Sequence, residues 1–81
     1  MRVEIYSLQR IIFEGEAQSV NCKTAMGEVT VLEKHEPLIS MLEDGPVRVV
    51  PVGGGQEQAF PVKGGFLQVN PEHAVRILAE E

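Results

Sequence analysis

The sequence predicts an all-β fold, a flattened two-sheet sandwich of short, mostly antiparallel strands. Three observations carry that expectation. Apolar and polar residues alternate with a two-residue period along most of the chain. Turn-forming glycines, prolines and Asp-Gly or Asn-Pro pairs recur every few residues to every dozen. The one helix candidate, Pro37 to Glu43, is too short to stand alone as a helix and reads better as a buried strand.

The strands follow in order. Val3 and Ile5 alternate with Arg2, Glu4 and Tyr6. Ile11-Ile12-Phe13 comes next, with a stop expected at Glu14-Gly15. From Glu16 to Cys22 the inward positions are Val20 and Cys22. Val29-Thr30-Val31 is a β-branched triplet suited to a strand. In Pro46 to Val52, Val47 and Val49 share one face while Arg48 and Val50 share the other. Pro61 between Phe60 and Val62 restricts that strand to an edge or a bulge. Leu67 with Val69, and Val75 with Ile77, complete the set. Asp44-Gly45, the glycines at 53–55, Gly64-Gly65 and Asn70-Pro71 supply the turns.

The 81 residues predict one small domain, 1–81, which buries only ~60% of its unfolded surface. There is no Trp, and the aromatics are three Phe and one Tyr, so Val, Ile and Leu must build the core. A net charge of −5 opposes nucleic acid, whose phosphates need a basic face, and equally opposes anionic lipid. A single cysteine, Cys22, excludes an internal disulfide and fits a reduced compartment. The first ten residues, MRVEIYSLQR, carry charge among their apolar positions and are neither a signal peptide nor a membrane span.

Catalytic and cofactor chemistry finds no support in the residues. His35-Glu36 begins like a zinc-protease helix, but position 39 is Ile and Pro37 interrupts any helix. Cys22 and His73 have no ligand-like spacing, so no metal is expected and His73 reads as a surface residue. Gly53-Gly54-Gly55 lacks the Lys-Ser/Thr ending of a phosphate loop and joins two strands. Ser7, Ser19 and Ser40 lack elbow glycines, and Cys22 lacks a nearby base and reads as a small buried hydrophobe. Glu80-Glu81 reads as a frayed end. No catalytic residue and no cofactor is expected. What remains is the exterior. Tyr6 and Leu8, Val50 and Val52, and Leu78 fall opposite the inward residues of their strands. They are either covered by loops or form a patch for a partner.

The chain resembles the N-terminal β-sandwich domain of the epsilon subunit of F-type ATP synthases, the mitochondrial delta equivalent. The resemblance runs nearly end to end. It begins with Val3-Glu4-Ile5-Tyr6-Ser7 and Phe13-Glu14-Gly15-Glu16 leading to Ser19-Val20. It continues through Gly27-Glu28-Val29, His35-Glu36-Pro37-Leu38-Ile39 and Leu42 before Gly45. It closes with Gly64-Gly65-Phe66-Leu67-Gln68-Val69 and Val75-Arg76-Ile77-Leu78-Ala79. The resemblance implies a ten-stranded flattened sandwich at the foot of the central rotor stalk of a proton- or sodium-translocating synthase. That subunit is non-catalytic, clamps the gamma subunit, rests on the c-subunit ring and couples rotation to ATP synthesis or hydrolysis. It lies peripherally on the cytoplasmic side of the membrane, without inserting into it.

By position, the resemblance implies that Glu28, His35, Glu36 and Pro37 face the ring. It implies that Tyr6, Leu8, Val50, Val52 and Leu78 face gamma. The sequence departs from the family pattern twice. The turn that usually reads Pro-Gly-His is here Glu33-Lys34-His35, and neither Glu nor Lys reaches a positive φ cheaply. The chain also stops at Glu81, so the family's C-terminal helical hairpin and its regulation are not carried over. The alternative class is a small β carrier or interaction module of another complex. A biotinyl or lipoyl carrier needs Lys beside Met or Asp at a hairpin tip, which neither Glu33-Lys34-His35 nor Val62-Lys63-Gly64 provides. An oligonucleotide-binding barrel needs stacking aromatics on a basic groove.

Overall fold

A computed structural model describes residues 1–72 and 74–81, so the expectation for His73 lies outside the described residues. Eight strands follow the chain: β1 Arg2–Tyr6, β2 Ile11–Thr24, β3 Gly27–Leu32, β4 Leu38–Leu42, β5 Gly45–Pro51, β6 Gln58–Val62, β7 Gly64–Val69 and β8 Val75–Glu80. The family resemblance implied ten strands. The described residues hold eight, because β2 runs unbroken for 14 residues and serves both layers.

One layer is built as β2–β1–β8–β7–β4, using the first half of β2. The other is β3–β2–β5–β6, using its second half. Only β1 and β8 pair in parallel among these; the others are antiparallel. Thr24 opposite Leu42 ties the layers at one side. At the other side the rings of Phe13 and Phe60 meet with centroids 5.6 Å apart.

The stop expected at Glu14-Gly15 is absent. Gly15 sits opposite Val3 in mid-strand, because β1 supplies a pairing edge across the whole segment from Ile11 to Glu16. A register shift beside Tyr6 leaves Ile12 as the extra residue of a bulge, so Ile12 and Phe13 both pack against the core. The Asp44-Gly45 turn, the 53–55 hairpin tip and the edge position of β6 are all as expected.

Between the layers lie Val3, Ile5, Val20, Val31, Val47, Val49, Leu67 and Ile77, all fully buried. Cys22 is buried among them, and burial pushes its thiol up to about 11, which keeps it protonated and unreactive. Among the described residues no buried side-chain polar atom lacks a partner. Thr24, for example, donates to the Gly27 carbonyl (2.7 Å) and accepts from the Met26 amide (3.1 Å).

The expected frayed end is not frayed. The Ser7 hydroxyl donates to the Glu81 carboxylate at 2.9 Å, and Arg10 Nε donates to the same carboxylate at 3.0 Å. Ser7 in turn accepts from the Gln9 and Arg10 amides, so Glu81 locks the β1–β2 turn to the end of β8. A terminal pair of charged residues carries no sequence sign of that tie.

Two measurements follow. Gly65 has φ 132°, and a Cβ there would overlap the carbonyl oxygen of Leu78 on the adjoining strand. Gly65→Ala is therefore expected to cost about 3 kcal/mol or more in urea unfolding, through backbone displacement added to positive-φ strain. The bonds from Arg10 and Ser7 hold the Glu81 carboxyl below its ordinary 4.5. A depressed folded value stabilises at pH above about 4.5 and is lost as pH falls through the folded value. The stability gap between the wild type and Glu81→Gln should thus be flat at neutral pH and shrink on acidification; a gap that is constant down to pH ~2 contradicts this.

Candidate interaction surface

Strand β4 is apolar on both of its sides. A wholly buried strand was expected there, but only Leu38, Ser40 and Leu42 point inward. Ile39 and Met41 are 72% and 59% exposed while Ser40 is buried. The strand is held on one face only, because no third layer covers it. With Ser40 inside between Leu38 and Leu42, the strand leaves two large apolar side chains on its outer side.

Register extends this outward face across the layer. Met41 lies opposite Phe66, Phe66 opposite Leu78, Leu78 opposite Tyr6, and Tyr6 opposite Ile11. Directly paired residues point to the same side of a sheet, so these five side chains form one apolar row over five strands. Phe66 is 53% exposed. Leu8, 90% exposed on the β1–β2 turn, joins Phe66 and Leu78 around a shallow groove.

The rows to either side are polar. Gln68, Arg76, Glu4 and Glu14 fill most of the row containing Ile39. Arg76 Nε lies 3.2 Å from Glu4, and Arg2 bridges Glu4 (3.8 Å) and Glu14 (3.4 Å). On the opposite flank stand the exposed carboxylates of Glu43, Glu80 and Glu81.

Of the residues expected to face gamma, Tyr6, Leu8 and Leu78 come together on this face. Val50 and Val52 do not. Val50 pairs with Ser19, itself opposite Leu32, on the other layer. Composition and period mark these valines as outward-facing but carry no information on which layer each strand joins. Sequence reasoning missed Ile11, Met41 and Phe66. Met41 and Phe66 are signalled by the outward phase of their strands, which a buried reading of β4 hides, whereas Ile11 reaches the row only through the register shift beside Tyr6.

The residues expected to face a ring are also divided. Glu28 is the second residue of β3, beside the β2–β3 turn, whereas His35, Glu36 and Pro37 follow its far end. Four residue steps along the strand separate Glu28 from Leu32, roughly 13 Å. At the Glu28 end two turns brace each other: the Glu43 amide donates to Lys23 (2.9 Å) and the Ala25 amide to Met41 (2.9 Å).

At the other end, Lys34 adopts φ 67°, the left-handed conformation, even though it is not glycine. The loop therefore keeps a tight shape despite the substitution, with strain in place of glycine's freedom. His35 Nδ1 lies 2.7 Å from the Glu36 carbonyl, and since a carbonyl only accepts, Nδ1 carries the proton. Glu33 at the loop stem meets the Met1 ammonium at 3.0 Å.

Residues 1–81 match the family model described as ATP synthase, Delta/Epsilon chain, beta-sandwich domain. The ATP synthase epsilon chain of Nitrosococcus oceani is 42% identical over 80 residues, spanning 99% of this chain and 56% of the relative. That of Herminiimonas arsenicoxydans is 40% identical over 80 residues, with 99% and 56% covered. The chain thus spans about half the length of the curated relatives it matches. A chain in the Euglena gracilis mitochondrial ATP synthase superposes with a TM-score of 0.88 at 28% identity, covering 98% of this chain and 49% of that one. A chain from the Tetrahymena thermophila mitochondrial ATP synthase gives 0.83 at 17% identity, over 100% and 63%, which shows the shared fold.

The strain at position 34 has a measurable consequence. Left-handed backbone costs a side-chain-bearing residue ~1–2 kcal/mol, and glycine's extra unfolded-state freedom takes back part of that. Lys34→Gly should therefore raise stability by about 0.5–1 kcal/mol in urea titration, whereas Lys34→Val should lower it. Equal stabilities for the three chains would remove the strain.

Proposed function

The chain belongs to the ATP synthase delta/epsilon family through its β-sandwich domain, and from that membership we propose that it works as a non-catalytic coupling module of a rotary central stalk. The single observation carrying this reading is the apolar row on the outer face of β4, β7, β8, β1 and β2, set on a rigid two-layer body. A torque-bearing adaptor needs stiffness and contact surfaces rather than a pocket. The Euglena neighbour comes from a structure of OSCP, F1 and c-ring, which supports partners of that kind.

In this reading Tyr6, Leu8 and Leu78, together with Met41, Phe66 and Ile11, seat against a gamma-type shaft subunit. Burying such side chains is worth ~1.5–3 kcal/mol each when complete, so the row alone supplies a stable hot-spot strip. Val50 and Val52, on the opposite layer, do not share that contact. One end of the sandwich meets a c-type ring, in a complex at the membrane, and the family resemblance puts it on the cytoplasmic side. Stiff, braced turns at the Glu28 end and the charged His35-Glu36-Pro37 loop at the other end are the two surfaces available. The chemistry is contact alone, with no cofactor, metal or nucleic acid.

Reconstitution with gamma-type and c-type subunits tests the reading. Phe66→Glu should lower gamma retention at least tenfold while leaving the circular dichroism spectrum unchanged. Because Glu28 and Glu36 stand at opposite ends, ring binding should respond to Glu28→Arg or to Glu36→Arg, not to both. Failure of the wild-type chain to retain either subunit would remove the proposal.

A further inference from the structure

The apolar row is one residue wide over most of its length, widened only by Ile39 at the β4 end and by Leu8 on the β1–β2 turn, and that width constrains what can cover it. Met41, Phe66, Leu78, Tyr6 and Ile11 run across the strands, one per strand. Four inter-strand spacings give a row of roughly 19 Å. The Arg2, Glu4, Glu14 and Arg76 ion pairs bound it on one side, and Glu43 and Glu80 on the other. A second sheet stacking here would cover several rows at once and strip water from those charges, which is unfavourable unless each is re-paired. A helix lying along the row presents a stripe of matching width, and roughly 13 residues span 19 Å.

The charges specify the flanks of that helix. On the ion-paired side Arg2 and Arg76 already neutralise Glu4 and Glu14. On the other side, no cation lies within ion-pair distance of Glu43 or Glu80 among the described residues. We infer that the row is a seat for an amphipathic helix of the shaft partner, about three to four turns long, whose apolar stripe is flanked on one side by Lys or Arg. This rests on the shaft reading and adds the shape and charge of the docking element.

Two synthetic 14-residue helices of equal apolar stripe, one flanked by Lys and one by Glu, test the inference by fluorescence anisotropy with the intact chain. The Lys-flanked peptide should bind at least tenfold more tightly, and added salt should narrow the difference. Phe66→Glu or Met41→Glu should abolish binding of both, and Glu80→Lys with Glu43→Lys should reverse the preference. Equal affinities, no binding by either peptide, or binding indifferent to Phe66→Glu would overturn it. So would self-association through the row, seen as a dimer in sedimentation that Phe66→Glu dissolves. If a gamma-type subunit binds through Phe66 while both peptides fail, the helix inference falls and the shaft reading stands. If the gamma-type subunit fails as well, both fall.

Discussion

Strand β2 hydrogen-bonds to β1, β3, β4 and β5, and the rest of the structure hangs on that pairing. Its first half completes the layer that carries the apolar face, and its second half is the centre of the other layer. A strand of ordinary length would leave two separate sheets with little to fix their relative position. Here one covalent segment crosses between them, with the bulge beside Tyr6 and a second register shift near Ala17 bending it. The two buried faces then oppose each other, and Val3, Val20, Val49 and Ile77 fill the space.

That rigidity gives meaning to the exposed side chains. A small sandwich has too little interior to bury every apolar residue, so scattered exposure is ordinary. Alignment by strand register of four exposed apolar side chains and the half-buried Tyr6 is not scattered, and it includes a strand in which Ser40 lies inside with Leu38 and Leu42 while Ile39 and Met41 lie outside. The layer is held together by Leu67, Val75 and Ile77 on its inner side, so the outer side is free to serve contact.

Much of the fold was legible in the sequence because a two-residue period reports burial locally. Val47-Arg48-Val49 and Val75-Arg76-Ile77 reveal their inward positions without knowledge of any neighbour. Pro61 likewise declares an edge, since it has no amide to donate. The misreadings share one cause. Glu14-Gly15 resembles a turn until β1 is placed beside it. Leu38 to Leu42 resembles a buried strand until its outer side is found uncovered. Glu81 resembles a frayed end until Ser7 and Arg10 reach it.

The candidate surface divides along the same line. Which residues leave the core was written in the alternation: Tyr6, Leu8, Val50, Val52 and Leu78 are all partly or fully exposed. Which of them stand together depends on pairing between segments far apart in the chain, and period alone is silent on pairing. Strand order put Tyr6 and Leu78 side by side, sent Val50 to the other layer, added Met41 and Phe66, and set Glu28 at the opposite end of β3 from His35. The sequence by itself determined the fold class, the core and the absence of recognisable catalytic motifs, because these follow from short-range chemistry. Tertiary structure alone decided the make-up of the apolar face, because hydrogen bonds between distant strands set which side chains become neighbours.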